Sequence, residues 1–201
     1  MTDAINRLKA EVIKNFGTPC LIIDLDVVER NIQRAQNLCD AAGVANRPHI
    51  KTHKSPLLAK MQIEAGARGI TCQKLGEAEV MADAGITDII VATNLLGAAR
   101  SGRLAALQRR LALKVCADNP VVLEAYSNAA REAGRPFDVM IECDTGQKRA
   151  GVEMPGEALA LAQIINNDPM LDFAGLLFYP ALDTWLQTQI FLDKMTQGLA
   201  A

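Results

Sequence analysis

The chain has 201 residues, half of them hydrophobic, which is enough to bury one sizeable core and makes a single domain the expectation. Its formal net charge of -2 and its pI near 5.7, with no run of basic residues, exclude the long-range field that would recruit nucleic acid or an anionic membrane. Five cysteines at 20, 39, 72, 116 and 143 form no C-x-x-C pair, so they read as reduced thiols rather than a disulfide framework or a zinc knuckle. From the N-terminus, residues 1–16 alternate charged and apolar side chains at helical spacing and lack the apolar core of a signal peptide. No apolar run reaches the roughly 18 residues that span a bilayer, so a soluble, cytoplasmic protein is expected.

Further along, short β-rich runs alternate with longer alanine-rich stretches of helical period, the pattern of a parallel sheet with crossover helices. An opening strand is predicted from Pro19 to Asp24, followed by a helix from about Val27 to Ala42 whose Val28, Ile32, Ala35 and Leu38 recur at three and four. Strands are then predicted over Pro48 to His53, Gly69 to Gln73, Asp88 to Thr93, Ala112 to Ala117, Phe137 to Cys143 and Phe173 to Tyr179. Ser55-Pro56 and Asn119-Pro120 read as helix starts, Gly85 as a helix stop, and Pro155 as a first-turn residue. A last helix is predicted from Trp185 to about Gly198. Repeats of this length favour a (β/α)-barrel over a doubly wound sheet, and no G-x-G-x-x-G or Walker-type loop follows the first strand.

The segment Arg47-Pro48-His49-Ile50-Lys51-Thr52-His53-Lys54 carries the densest chemistry and both of the chain's histidines. Strand alternation would put Arg47, His49, Lys51 and His53 on one face, with Ile50 and Thr52 on the other. On the inward face of a barrel such groups need a ligand or counter-charges, whereas on an edge or a loop they would simply be solvated. Positive charge from Arg47 and Lys54 would ease loss of a proton from Lys51, as a Schiff-base lysine requires. Inside the barrel, Lys114 and Glu142 are expected to point inward together as a structural ion pair.

The combination of R-P-H-I-K-T-H-K at 47–54 with C-Q-K-L-G-E-A-E at 72–79 resembles the D-threonine aldolase and D-serine dehydratase group, pyridoxal-phosphate enzymes of fold type III related to alanine racemase. The resemblance extends from Thr18-Pro19 to about Tyr179. It implies an incomplete (β/α)8 barrel of the alanine racemase N-terminal type, with about six βα units and no C-terminal β-domain. It also implies that Lys51 carries pyridoxal 5'-phosphate as a Schiff base, with His49, Gln73, Arg149 and Tyr179 around the cofactor. Arg149 falls in D-T-G-Q-K-R-A-G at 144–151, similar to a loop of the family, and is placed by it near the phenolic oxygen of the cofactor. Standing alone, Arg149 reads as a surface arginine, Gln73 as an ordinary strand end, and Tyr179 as a core tyrosine with its hydroxyl at the rim. Asn94 is a further, weaker candidate.

The implied partners are a small D-amino acid and a second copy in a homodimer. The implied reaction is retro-aldol cleavage of a D-β-hydroxy-amino acid to glycine and an aldehyde, or loss of the β-hydroxyl in a D-serine or D-3-hydroxyaspartate dehydratase. A divalent metal, Mn or Zn, is implied for full-length relatives, held by a C-terminal domain whose ligands are not expected here, so no metal site is assigned. A complete barrel needs eight units and usually grips phosphate after the last two, so a truncated chain of impaired activity is expected. A cofactor-binding protein without turnover and an inert remnant are the other readings.

Overall fold

The computed structural model describes residues 2–179 together with 189, 190 and 193. It opens with two helices, α1 (Thr2–Phe16) and α2 (Leu25–Ala41). Alternation follows in the order α3 (Pro56–Glu64), β1 (Ile70–Cys72), α4 (Leu75–Asp83), β2 (Asp88–Val91), α5 (Ala98–Arg110), β3 (Ala112–Ala117), α6 (Pro120–Ala133), β4 (Phe137–Cys143), α7 (Pro155–Asn167) and β5 (Leu171–Phe178). The five strands lie in sequence order and every neighbouring pair is parallel. That order decides between the two architectures open to the sequence. A doubly wound sheet reverses strand order at a switch point, whereas uninterrupted order with one hand of crossover keeps all helices on one face, as in a barrel.

Helix boundaries follow local chemistry. Asn119 extends its side chain to accept the N–H of Val122 at 3.1 Å ahead of Pro120, and Gly134, at φ +76°, ends the same helix in the left-handed region. Ser55 accepts from Leu58 N at 3.4 Å ahead of Pro56, and Asp24 accepts from Val27 N at 3.1 Å at the start of α2. Pro155 occupies the first turn of α7, and Gly85 follows α4 at φ +89°.

Two expected strands do not form. Pro19 to Asp24 pairs with no strand among the described residues and leaves Leu21, Ile22 and Ile23 exposed. Pro48 to His53 contracts to a single parallel bridge, His49 to Thr71, and then turns. Of the seven strands expected, the described sheet therefore has five. α2 forms as predicted, but its apolar stripe is thinly covered: Leu38 and Ala35 are exposed, and the residue it buries is Gln36. The helix expected over Trp185 to Gly198 falls almost wholly outside the described residues. No described helix is long and apolar enough to cross a membrane.

The core lies between the sheet and its helices. Ile89, Val91, Leu113, Val115, Phe137, Val139 and Ile141 alternate onto the helix-facing side and meet Met81, Leu104, Leu107, Leu123, Tyr126 and Ile165. The opposite face, the inside of the barrel, carries charge. Asp88 pairs with Arg47 at 2.9 Å and with Lys114 at 3.6 Å, and Lys114 reaches Asp138 at 3.5 Å. Lys114 thus points inward, but its partners are Asp138, level with it on β4, and Asp88, two residues back along β2, rather than Glu142. The strand register explains this, because Lys114 lies opposite Asp138, while Glu142 sits four residues further along β4.

Tyr126 ties the core to the rim. Its buried hydroxyl donates to Cys116 O at 2.8 Å and accepts the N–H of Leu95 at 3.1 Å, joining α6 to β3 and to the loop after β2. Tyr126→Phe leaves both backbone groups without a partner in a dry site, so it is expected to lower unfolding free energy by about 1–3 kcal/mol. Urea denaturation measures this, and an unchanged midpoint would contradict it.

Candidate functional site

Thr71 of β1 donates to Pro48 O at 2.8 Å and accepts from Ile50 N at 2.9 Å, so the chain enters the barrel beside β1 as far as Ile50. Ile50 is fully buried. Directly after it, Lys54 N–H donates to Ile50 O at 2.8 Å and closes one helical turn, with Lys54 itself at φ +49°. Lys51 is the first residue inside that turn. The expected one-face array of Arg47, His49, Lys51 and His53 is therefore not built: pleated alternation stops at Ile50, and a turn takes over the placement of the side chains that follow.

The two cations that the sequence sets beside Lys51 are occupied elsewhere. Arg47 is paired with Asp88, and Lys54 Nζ lies 3.0 Å from Glu77 Oε1. Lys51 instead meets an aromatic ring, its Nζ lying 5.1 Å from the centroid of Tyr179. The guanidinium carbon of Arg149 lies 4.7 Å from the centroid of the same ring. Three residues far apart in sequence thus converge, at distances where a cation is attracted by the ring quadrupole.

The loop after β4 delivers Arg149. Val152 N donates to Glu142 O and Asp144 N to Val152 O, both at 2.9 Å, so residues 143–152 form a closed loop. Gly151 sits where that loop pinches: a Cβ there would lie 2.6 Å from Asp144 N and Cys143 C, at φ +101°. Gly151 N also donates to Asp118 Oδ2 at 3.1 Å, and Asp144 Oδ1 accepts from Gly146 N at 2.8 Å. Gln147 Nε2 donates to Tyr179 O at 2.8 Å, which fastens the loop to the aromatic residue.

His49 lies beneath the lysine. Its Nδ1 accepts the N–H of Lys51 at 3.2 Å, which fixes the neutral tautomer with the proton on Nε2, and Nε2 is buried without a hydrogen-bond partner. Burial first, and the charge of Lys51 second, hold the imidazole below its ordinary range. Gln73 lies close enough to His49 to oppose that shift in part. Gln73 also lines a cleft of about 460 Å³ with Lys74, Asn94, Arg100 and Arg103, and neither Lys51, Arg149 nor Tyr179 lines it. Asn94 is spent on structure, donating from Nδ2 to Asp118 Oδ1 at 2.7 Å.

Glu142 is buried behind the Arg149 loop and accepts from Cys116 Sγ at 3.8 Å. Burial and the nearby Asp118 push its carboxyl up, while the charge of Arg149 pulls it back. The buried thiols of Cys72 and Cys143 are pushed up to about 12 by burial, with a carboxylate as the second cause, so neither is a ready nucleophile. No group of three or more metal-ligating side chains gathers among the described residues.

A family profile described as "Alanine racemase, N-terminal domain" matches residues 23–197. The chain belongs to this family. Within it, the chain is 43% identical over 167 residues to a D-threonine aldolase of Arthrobacter sp, covering 83% of this chain and 44% of that protein. It is 40% identical over 152 residues to a D-threo-3-hydroxyaspartate dehydratase of Delftia sp. (strain HT23), covering 76% of this chain and 40% of that protein. Its fold matches the crystal structure of D-threonine aldolase from Filomicrobium marinum with a TM-score of 0.77 at 40% identity, covering 79% of this chain and 43% of that one. The chain spans less than half the length of each.

Sequence reading passes over two residues that organise this alanine racemase-type rim. Glu77 holds Lys54 and caps α4, a role hinted at by a glutamate three residues after Lys74 at a helix start. Tyr126 has no such signal, since nothing in its helix announces that its hydroxyl reaches across to Leu95.

His53 also has its imidazole held below the ordinary value by burial, a shift that Gln62 opposes. A lowered folded-state value means that the unfolded chain binds the proton more readily, so this contribution is fully present above about 6.5, the unfolded value, and is lost as pH falls through the folded one. The melting-temperature difference between wild type and His53→Gln should therefore shift against wild type as pH drops below about 6.5. A difference that stays constant or moves the other way would exclude a neutral buried ring.

Proposed function

We propose that the chain is the cofactor-binding domain of a pyridoxal-phosphate-dependent lyase of the D-threonine aldolase type, with Lys51 as the attachment point. The observation that carries this reading is the convergence of the Lys51 amine and the Arg149 guanidinium on the one ring of Tyr179. Neither cation forms a direct ion pair with a described residue, although Arg149 lies near enough to Glu142 to act on it through its charge, and two positive groups beside an aromatic face suit an anionic, aromatic aldehyde. His49 stands next to the lysine, its Nδ1 accepting the Lys51 N–H. These residues fit the cofactor.

Bound there, pyridoxal phosphate supplies an aldehyde for an amine and a conjugated ring that takes up the electron pair of a breaking Cα bond. The chain's own residues do the rest. Lys51 Nζ is the attaching atom, and its turn, fixed at Ile50 and Lys54, keeps it beside Tyr179. Arg149 would offer a permanent positive charge to the cofactor's phenolic oxygen and so favour its ionised form. His49, neutral, bonds the Lys51 amide without adding a further charge to the pair of cations. Gln73 lies next to His49 at the rim.

The reaction favoured is cleavage of the Cα–Cβ bond of a D-β-hydroxy-amino acid, giving glycine and an aldehyde; it rests on the similarity to D-threonine aldolases. A second reading, loss of the β-hydroxyl with release of ammonia and a keto acid, is supported by the similarity to the Delftia dehydratase. Both would draw on the small D-amino acids named by these relatives.

Incubation with pyridoxal phosphate, borohydride reduction and peptide mapping test the assignment. The tag is expected on Lys51 and is expected to vanish in Lys51→Ala. Arg149→Ala should weaken cofactor retention roughly ten-fold or more, from loss of a charge-assisted contact. A tag on another lysine, or on none, would sink the reading. Assays with D-threonine, D-serine and D-3-hydroxyaspartate, with and without manganese, then separate aldolase, dehydratase and non-catalytic binding by the product formed.

A further inference from the structure

Glu77 grips both motif segments at once. Its Oε1 lies 3.0 Å from Lys54 Nζ, while its Oε2 accepts the N–H of Gln73 at 2.8 Å and of Lys74 at 3.3 Å. The Glu77 side chain is only 10% exposed, while Lys54, 57% exposed, reaches it from the solvent side, so the pair is half-buried through its carboxylate. Burial works against the charge of Glu77, but the hydrogen bond and charge of Lys54 and the backbone donors outweigh it and hold the carboxyl below its ordinary range. It stays ionised at neutral pH, and its bonds are charge-assisted.

The segment that Glu77 reaches has reason to move. Lys54 sits at φ +49°, a region that disfavours any residue with a Cβ, so the turn from Ile50 to Lys54 relaxes unless both of its ends are held. One end is held by the backbone bond from Ile50 N to Thr71 O. The other is closed within the turn by Lys54 N–H on Ile50 O and fastened from outside it by the side chain of Lys54 on Glu77. Both anchors belong to the unit formed by β1 and α4, and Lys51 lies between them.

We propose that Glu77 is a positioning residue for Lys51: through Lys54 it fastens the lysine-bearing turn to the end of β1 and the start of α4, and so keeps the Lys51 amine against Tyr179. The functional consequence rests on the reading of Lys51 as the cofactor lysine. The clamp itself does not. It also ties the segments 47–54 and 72–79 together, because Lys54 and Glu77 supply the two halves of a single ion pair.

The competing role is helix capping alone, and substitution separates the two. Glu77→Gln keeps a side-chain oxygen for the backbone N–H groups of Gln73 and Lys74 but loses the ion pair, and Lys54→Met removes the pair while leaving the cap whole. If Glu77 positions Lys51, both variants form the imine between Lys51 and pyridoxal phosphate on the order of ten-fold more slowly than wild type, since small misplacements of a reacting group cost that much or more. Lys54→Arg, which can still reach the carboxylate, should return near the wild-type rate. Rates unchanged in Lys54→Met and Glu77→Gln would overturn the proposal. Should Glu77→Gln fail to fold, Lys54→Met carries the test alone, since that side chain is mostly exposed.

Amide hydrogen exchange at Lys51 and Lys54 gives a readout without the cofactor: faster exchange in Lys54→Met supports the clamp, and unchanged exchange overturns it. If wild type forms no imine at Lys51, it is the cofactor reading that fails, and exchange still decides the clamp.

Discussion

Thr71 bonds the chain beside it twice, donating to Pro48 O at 2.8 Å and accepting from Ile50 N at 2.9 Å. Those two bonds pin a stretch too short to be a strand. Because Ile50 is then buried and Lys54 closes back onto it, Lys51 has little freedom over where it emerges. Everything else at the rim is built around that point: His49 receives the Lys51 amide, Glu77 holds the far end of the turn, and the loop after β4 brings Arg149 to the ring of Tyr179. The Lys51 amine, with backbone bonds on one side of its turn and an ion pair on the other, is positioned without a direct ion pair of its own among the described residues.

The distribution of charge follows the same logic at a larger scale. Helix-facing positions of the sheet are apolar and dry, while the inner face carries the chain of Arg47, Asp88, Lys114 and Asp138. Burial resists the ionisation of Asp88, yet Arg47 and Lys114 hold its carboxyl below the ordinary range, so the chain remains charged at neutral pH. Arg47 and Lys54 flank the lysine in sequence, and each is neutralised by an acid from a later βα unit. What converges on Tyr179 is therefore a pair of cations, Lys51 and Arg149, neither held in a direct ion pair with a described residue.

Much of the fold was legible from local pattern. The limits of β3 and β4 coincide with the apolar runs Ala112 to Ala117 and Phe137 to Cys143, and the caps at Ser55 and Asn119 stand where a polar residue precedes proline. These signals are legible because alternation and capping depend on neighbours within a few residues. Pro19 to Asp24 has the composition of a strand and pairs with none among the described residues, since composition supplies the propensity but not the neighbour that a ladder needs.

At the site the division is sharper. Amino-acid order set Lys51 between both histidines in the densest run of chemistry, and the family resemblance, not the local pattern, named the loop from Asp144 to Gly151 and Tyr179 as its companions. It could not show that pleating stops at Ile50, that Lys54 turns away to Glu77, or that Lys114 joins Asp88 and Asp138 rather than Glu142. Residue types and spacing report what a segment can do by itself. Which carboxylate neutralises which cation, and which ring an amine rests against, depend on strand register and on loops that meet across more than a hundred residues, so only the folded chain decides them.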